Sequence, residues 1–358
     1  NLIQKKINNG ASPTMSRGKI VVFTSGTKAQ PKAAQLKFKN LYANAKGSNT
    51  HLKLKEGDRW LLSLPMYHVG GLGIIVRSIL ARATIVINKS NKNLSQDLRG
   101  CNISHLSLVP TQLEQLLIKN KATKNLKMCK YILLGGASIS QDLLKRSIKL
   151  KLPIYASYGL TEMASQVATT SKITNLKSPL KGKILPDRKV KIVRGEIWVK
   201  GKTLFSGYIV NKRLRQSRTQ DGWFKTKDLG KLTNKKELLV TGRKDNQIIS
   251  GGENIQPEEI ENKLTAMGIQ RACVISRRDQ TFGERPIAFI QPLPNSKISR
   301  HKIEMALSKQ LEKYKIPDDL DYKAAVMTQT LAVVLQGFYK TEIKAGDVIA
   351  VYGLGAIG

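Results

Sequence analysis

Acidic residues are scarce in this chain. Its 358 residues carry 25 Asp and Glu against 61 Lys and Arg, a formal net charge of +36. Such a surface attracts polyanions, so charge alone favours nucleic acid or an anionic small substrate as a partner. The basic residues run along the whole chain without forming a stripe, and aromatics amount to only 6%, too few to suggest base-stacking platforms. A Lys- and Asn-rich composition therefore explains the charge better than a specific nucleic-acid function. Cysteine is equally sparse. Cys101, Cys129 and Cys273 lie far apart, with no C-x-x-C pair and no His at zinc spacing, which excludes a disulfide framework and points to a reducing, cytoplasmic setting. The opening NLIQKKINNG lacks Met and has no apolar core, so no signal peptide is expected and the chain reads as starting inside a longer protein. Long apolar runs are missing too. GGLGIIVRSILARATIVI carries Arg77 and Arg82 and falls short of the roughly 20 uninterrupted apolar residues of a membrane span.

What remains is an ordinary globular composition, 41% hydrophobic, in a chain long enough for two or three domains. From residue 19 the pattern alternates strand, loop and helix. KIVVFTSG, HLSLV at 105–109, YILLGG at 131–136 and PIYASYG at 153–159 read as strands; Thr111-x-x-Glu114 and Ser138-x-x-Gln141 read as helix openings. That alternation predicts an α/β domain with a mostly parallel sheet flanked by helices and function at the strands' carboxyl ends. Residues 180–241 change to short strands (KVKIV, GEIWVKG, ELLVTGR) that predict an antiparallel, β-barrel-like segment. A small α+β unit follows. In it Pro257 starts a helix, Gly268 stops it, and Ile303, Leu307 and Leu311 share a later helix face. The domain reading is therefore 1–241, a large domain; 242–320, a lid; and 321–358, a tail.

Four constellations could carry chemistry. TSGTKAQPK, from Thr24 to Lys32, gathers hydroxyls, a glycine and a cation, as a loop does around phosphate oxygens, although it is not the nucleotide-kinase loop. SYGLTEMASQ places Glu162 as an isolated carboxylate that could hold a divalent cation facing a polyphosphate. GWFKTKDLG places Asp228 after an aromatic pair at a turn, where a carboxylate could accept from a ribose diol. GRKDNQIISGGENIQPEEIE sets Arg243 and Asp245 ahead of Gly251 and Gly252. Each alone also fits a surface turn, a solvated acid or a glycine hairpin.

In order, TSGT…PK, LPMYHVGGL, YGLTE, GWFKTKDLG and GRKDNQIISGGENIQPEEIE resemble the motif series of the adenylate-forming superfamily, over roughly residues 19–320. HLSLVPTQLEQLL, LLGGASIS, SYGLTEMASQVATT and LPMYHVGGLGIIVRSILARATIVI are most similar to the o-succinylbenzoate-CoA ligases of menaquinone synthesis. The resemblance implies AMP-forming activation of a carboxylate by ATP and Mg²⁺, then transfer to coenzyme A after a lid rotation. By the same resemblance Thr24, Ser25, Gly26, Thr27 and Lys32 hold the ATP phosphates. Thr161 and Glu162 serve phosphate and Mg²⁺; Tyr158 and Gly159 flank adenine; Asp228, with Arg243, takes the ribose; and Gly251 and Gly252 belong to the nucleotide side. Asp245 is the hinge. His68, a catalytic residue in this reading, sits at the acyl pocket with Ser157, and Gly135, Gly136 and Ala137 form its wall. Arg77, a guanidinium in an apolar helical stretch, needs a partner, which the second carboxylate of o-succinylbenzoate could supply; a snorkelling helix-face Arg is the alternative.

The chain departs from this pattern in three places. Lys28 and Ala29 replace a small hydroxyl residue and a glycine of the phosphate loop, the lid's closing P-x-T-x-x-G-K is not matched, and only 18 residues precede the strand KIVVF that leads into the loop. Truncation relative to the family and weak adenylation are therefore expected. The close, AVVLQGFYKTEIKAGDVIAVYGLGAIG, resembles the entry to the nucleotide domain of zinc-type medium-chain alcohol dehydrogenases, with Gly353, Gly355 and Gly358 as G-x-G-x-x-G. Rival readings are another acyl-CoA synthetase or adenylation domain, an NAD(P)-dependent dehydrogenase fragment, and a basic nucleic-acid-binding protein. The partner set expected is a small carboxylate, with no membrane span, no specific nucleic acid and room for a homo-oligomer.

Overall fold

The computed structural model describes residues 18–24, 32–87, 94–99, 101–118, 122–176, 178–292 and 298–321. Ser25, Gly26, Thr27, Lys28, Ala29 and the dehydrogenase-like tail lie outside the described residues. Those described divide into two compact units, one running to Val240 and one from Thr241 on, with Ser140–Asp142 grouped with the second.

Short, largely apolar runs build the centre of the first unit. Thr84–Ile87, Arg59–Leu62, His105–Leu108, Tyr131–Leu134 and Ile154–Leu160 pair in parallel in that spatial order. His105–Leu108 is buried at every position, as a parallel strand covered on both faces must be. Leu106, Leu108, Ile132 and Leu134 share a core with Leu113, Leu116, Leu143 and Leu144 from the intervening helices. The parallel register also lines up an aromatic ladder. Trp60, His105, Tyr131 and Tyr155 stand on adjacent strands with ring centroids 5.2, 5.0 and 4.7 Å apart.

Beyond Ile154–Leu160 the sheet turns antiparallel. Ser165–Thr169, Gly182–Ile184, Glu237–Arg243, Phe224–Leu232, Glu196–Gly201 and Arg188–Val193 extend it to eleven strands. Lys19–Thr24 is not among them. It pairs antiparallel with Lys32–Lys37, and Gly207–Val210 and Arg213–Arg215 complete a separate four-stranded sheet. The strand-loop-helix reading of this segment is thus corrected: the phosphate loop connects a hairpin. Ala34 and Leu36, both fully buried, give Lys32–Lys37 an inward face that a helix opening would leave exposed. The expected Thr111-x-x-Glu114 capping box is corrected as well. The helix begins at Pro110, where fixed φ suits the first turn, so Gln112 accepts from the Val109 N–H at 3.0 Å. Glu114 instead pairs with Arg146 at 2.8 Å.

The Phe38–Leu52 helix positions the site. Its buried face carries Asn40, Asn44 and Ser48, and each finds a hydrogen-bond partner, as burial requires. Asn40 donates to the Lys202 carbonyl at 2.7 Å, and Asn44 donates to the carbonyls of Met163 and Gln166, both at 3.0 Å. The helix is thereby bonded to the turn that carries Glu162.

In the second unit the hairpin Ile269–Asp279/Gly283–Pro292 packs on the helices Pro257–Ala266 and Arg300–Ser308. Ile260, Leu264, Val274, Ile290, Ile303, Leu307 and Leu311 form its core. Gly268, at φ +94°, ends the first helix in a conformation that favours glycine. Glu261 accepts from the Val274 N–H at 2.8 Å, and burial raises its pKa to about 7, assisted by Glu258. A carboxyl whose folded pKa lies above its unfolded value binds more protons when folded, so stability falls as pH rises between the two. The thermal midpoint of this unit is therefore expected to fall from pH 4.5 to about pH 7, and Glu261→Gln to flatten that slope in calorimetric scans across the range.

Candidate active site

Thr24 ends the strand Lys19–Thr24 and Lys32 begins the strand Lys32–Lys37. Thr24 and Lys32 are paired across the hairpin, so both flank the phosphate loop. The Lys32 ammonium lies 5.5 Å from the Tyr208 ring centroid, and the Tyr208 hydroxyl donates to Glu162 Oε1. One phenol ring thus stands between the cation and the carboxylate, and no ion pair joins them. Such an arrangement leaves the ammonium and the carboxylate unneutralised by each other. Among the described residues no group of three or more His, Cys, Asp or Glu could hold a metal. A single carboxylate suits a hard cation whose remaining ligands are phosphate oxygens and water.

Glu162 sits in a 3₁₀ turn, Thr161–Met163, followed by Ala164 at φ +57° and Ser165 at φ +113°. These are strained positions for residues bearing a Cβ, of the kind that cluster at functional sites. The turn is held by the Phe205 N–H, which donates to the Glu162 carbonyl at 2.8 Å, and by Asn44 beneath it. Gly159 approaches the Ser165 backbone so closely that a Cβ there would collide with its carbonyl.

Asp228 departs from expectation. It stands in the middle of the strand Phe224–Leu232, where burial alternates and Phe224, Thr226 and Asp228 face inward. It is not a turn residue. Lys227 at φ +65° and the register shift opposite Glu196–Trp198 form an irregularity, which bends the strand where the sequence suggested a turn. Tyr158 donates to Asp228 Oδ2 at 2.6 Å, so two residues from separate motifs meet directly.

On the acyl side, His68 is exposed, precedes the helix Val69–Ala81, and has its ring 4.6 Å from Tyr67. It shares with Thr24 the lining of an open cavity of about 420 Å³, together with Phe23, Met66 and Leu72. Gly135, Gly136 and Ala137 follow the strand Tyr131–Leu134, and a Cβ on Gly135 would lie 3.2 Å from the Ser157 carbonyl. In the second unit Arg243 ends a strand and Asp245 lies in the 3₁₀ turn Lys244–Asn246. Gly251 and Gly252, at φ +57° and +86°, make the turn between Ile248–Ser250 and Glu253–Ile255.

Arg77 is 1% exposed and does not snorkel. Its Nη2 reaches Asn44 Oδ1 at 3.5 Å and Ser165 Oγ at 3.4 Å, both long, and its Nε has no partner. The guanidinium lies 5.6 Å from the Trp60 ring, and Gly73 makes room for it, since a Cβ there would lie 3.0 Å from Nη2. Burial, and then the nearby positive Arg188, lower its pKa to about 9, so it stays charged at neutral pH. Arg188 is also buried, but carbonyls of Gln166 and Asn44 satisfy it at 2.7 and 3.0 Å. Among the described residues no carboxylate pairs with Arg77. Sequence reasoning missed Tyr208, Asn44 and Trp60, which couple motifs far apart in the chain; the GYIV run after Ser206 and the buried-strand run RWLL were the signals available.

The family model for AMP-binding enzymes matches residues 10–209, and the chain belongs to this family of AMP-binding enzymes. It is 36% identical over 312 residues to the 2-succinylbenzoate–CoA ligase of Enterococcus faecalis, covering 83% of this chain and 64% of that protein. With the Escherichia coli ligase it shares 37% identity over 274 residues, 76% of this chain and 58% of the relative. Among solved structures, E. coli MenE with a bound analogue of OSB-AMS superposes with a TM-score of 0.73 at 32% identity, covering 88% of this chain and 69% of that one. Bacillus subtilis o-succinylbenzoate CoA synthetase in complex with ATP and magnesium ion gives 0.71 at 31%, covering 84% and 65%. The chain thus spans about three fifths to two thirds of the length of the curated relatives it matches.

Replacing an unpaired buried charge with an apolar side chain of similar reach is stabilising when no partner group is left behind. Arg77→Met is expected to raise the unfolding free energy by about 1 kcal/mol, after the lost contact with Trp60 is deducted, as read by urea denaturation.

Proposed function

We propose that the chain carries an acid-CoA ligase activity of the AMP-forming kind, with o-succinylbenzoate as its carboxylate, acting in menaquinone biosynthesis. The observation that carries this reading is Arg77, a buried guanidinium without a carboxylate, in a unit that also holds the Lys32–Tyr208–Glu162 chain and the Tyr158–Asp228 pair. A dicarboxylate offers one group for reaction and one for Arg77. In relatives of known structure the bound ligands include ATP with magnesium ion and the acyl-adenylate OSB-AMP, which supports ATP and Mg²⁺ here; coenzyme A is the acyl acceptor.

In this reading Thr24, Ser25, Gly26, Thr27 and Lys32 bind the polyphosphate, and Tyr158 and Asp228 orient the adenosine. Arg77 holds the distal carboxylate, so the proximal one lies in line with the α-phosphate beside His68. Positioning and charge neutralisation, rather than proton transfer, then account for most of the rate. Mg²⁺ held at Glu162 neutralises charge on the phosphates as pyrophosphate leaves. Thr161 supports the same oxygens, Gly135, Gly136, Ala137 and Ser157 shape the acyl wall, Arg243 serves the ribose, Gly251 and Gly252 serve the nucleotide, and Asp245 is the hinge of the lid step that admits the thiol. Among the described residues no helix is long and apolar enough to cross a membrane; a cytoplasmic location and a homo-oligomeric state are part of the proposal. The resemblance of the closing residues to a dehydrogenase domain is retained on its sequence alone and supplies no step.

The test is ligand-dependent thermal stabilisation across aryl and alkyl carboxylates with ATP and Mg²⁺, alongside pyrophosphate release. o-Succinylbenzoate is expected to stabilise the protein most, with the effect lost in Arg77→Ala and with slow pyrophosphate release because Ala29 stands where the family pattern has glycine. A preference for monocarboxylic fatty acids, unchanged in Arg77→Ala, would overturn the assignment.

A further inference from the structure

The basic residues that the sequence spreads out are gathered by the fold on one sheet face. Register sets Lys189 opposite Lys200, Lys191 opposite Trp198, and Trp198 opposite Lys225 across three adjacent strands. The Lys191 ammonium lies between two indoles, 4.9 Å from the Trp198 ring and 4.5 Å from that of Trp223. Lys225 covers Trp198 at 4.9 Å, and Lys200 lies 6.0 Å from Trp223. Among the described residues one exposed acid is ion-paired with these four cations, Asp221, 3.6 Å from Lys191, and its carbonyl accepts from Lys200 at 2.6 Å. Glu196, of the same parity, is buried and accepts from the Lys227 N–H.

Like charges directly opposite one another in a sheet repel, and here indole faces hold three of the four ammonium groups, those of Lys191, Lys200 and Lys225. Flat aromatic faces interleaved with cations are the arrangement on which bases stack while phosphates are neutralised. A sheet surface suits single strands, whose bases are free to splay, better than a duplex. A lipid surface is disfavoured, because Arg188–Val193 and Glu196–Gly201 carry none of the exposed large apolar side chains of the described residues. We propose that the Lys189/Lys191/Lys200/Lys225 face, with Trp198 and Trp223, binds single-stranded nucleic acid, independently of the ligase reaction. The net charge of +36 supplies the long-range attraction and the platform supplies the seat.

The chain has three tryptophans, and Trp60 is 1% exposed, so quenching of intrinsic fluorescence reports on the platform. The experiment titrates the full chain with a fluorescein-labelled thymidine oligonucleotide, reading anisotropy and tryptophan fluorescence over a range of salt. Lys189→Glu/Lys225→Glu is compared with Lys53→Glu/Lys55→Glu, which changes net charge equally but precedes Arg59–Leu62, toward the opposite edge of the sheet. Binding with quenching is expected, weakened about tenfold or more by the platform pair and about twofold or less by the control pair. The neutral pair Lys189→Gln/Lys225→Gln should fall between wild type and charge reversal, and it guards against a folding artefact. Equal losses in the two reversed pairs, binding without quenching, no binding, or binding only to phosphatidylglycerol vesicles would each overturn the proposal.

Discussion

A guanidinium held out of water beside no carboxylate sets what the surrounding elements must do. Arg77 is buried where the helices Phe38–Leu52 and Val69–Ala81 meet the strand Ser165–Thr169, contacted by Asn44, Ser165 and the Trp60 ring. None of these neutralises it. Gly73 leaves it room, and Arg188, satisfied by carbonyls, adds a second positive charge nearby. A natural core would replace such a group with an apolar one unless an anion arrives from outside, because an unpaired buried charge is costly.

The same small set of elements carries the nucleotide side. Asn44, which contacts Arg77 through its side-chain oxygen, donates through its nitrogen to the Met163 and Gln166 carbonyls and so fixes the strained turn bearing Glu162. Glu162 is joined by Tyr208 to the hairpin that flanks the phosphate loop. One amide therefore links Arg77 to the turn that bears Glu162.

Much of this was legible in the residues themselves. The apolar runs HLSL and YILL announced buried parallel strands, and Pro257 and Gly268 bracketed their helix, because local backbone preference and burial act in the same direction there. The rest depended on contacts between distant segments. Lys32, Glu162 and Tyr208 are brought together only by pairing between Lys32–Lys37 and Gly207–Val210, and no local signal encodes that pairing. Asp228 looked like a turn residue since TKDLG is turn-like in composition, yet the strand irregularity at Lys227 carries it inward. The lysines looked scattered because register, not sequence spacing, sets Lys189 against Lys200. Arg77 was found by an argument about burial in an apolar helix, though its neighbours could not be named.

The most direct test of the account is calorimetric titration with OSB-AMS, the ligand whose analogue is bound in the E. coli relative. It spans both ends of the site and needs no turnover. A charge-assisted contact in a buried setting is worth about 1.5–3 kcal/mol, so the account predicts one-site binding that weakens by about 30-fold in Arg77→Ala while the affinity for AMP alone is unchanged. Equal affinity of the wild type and Arg77→Ala for OSB-AMS, or no binding by either, would contradict it.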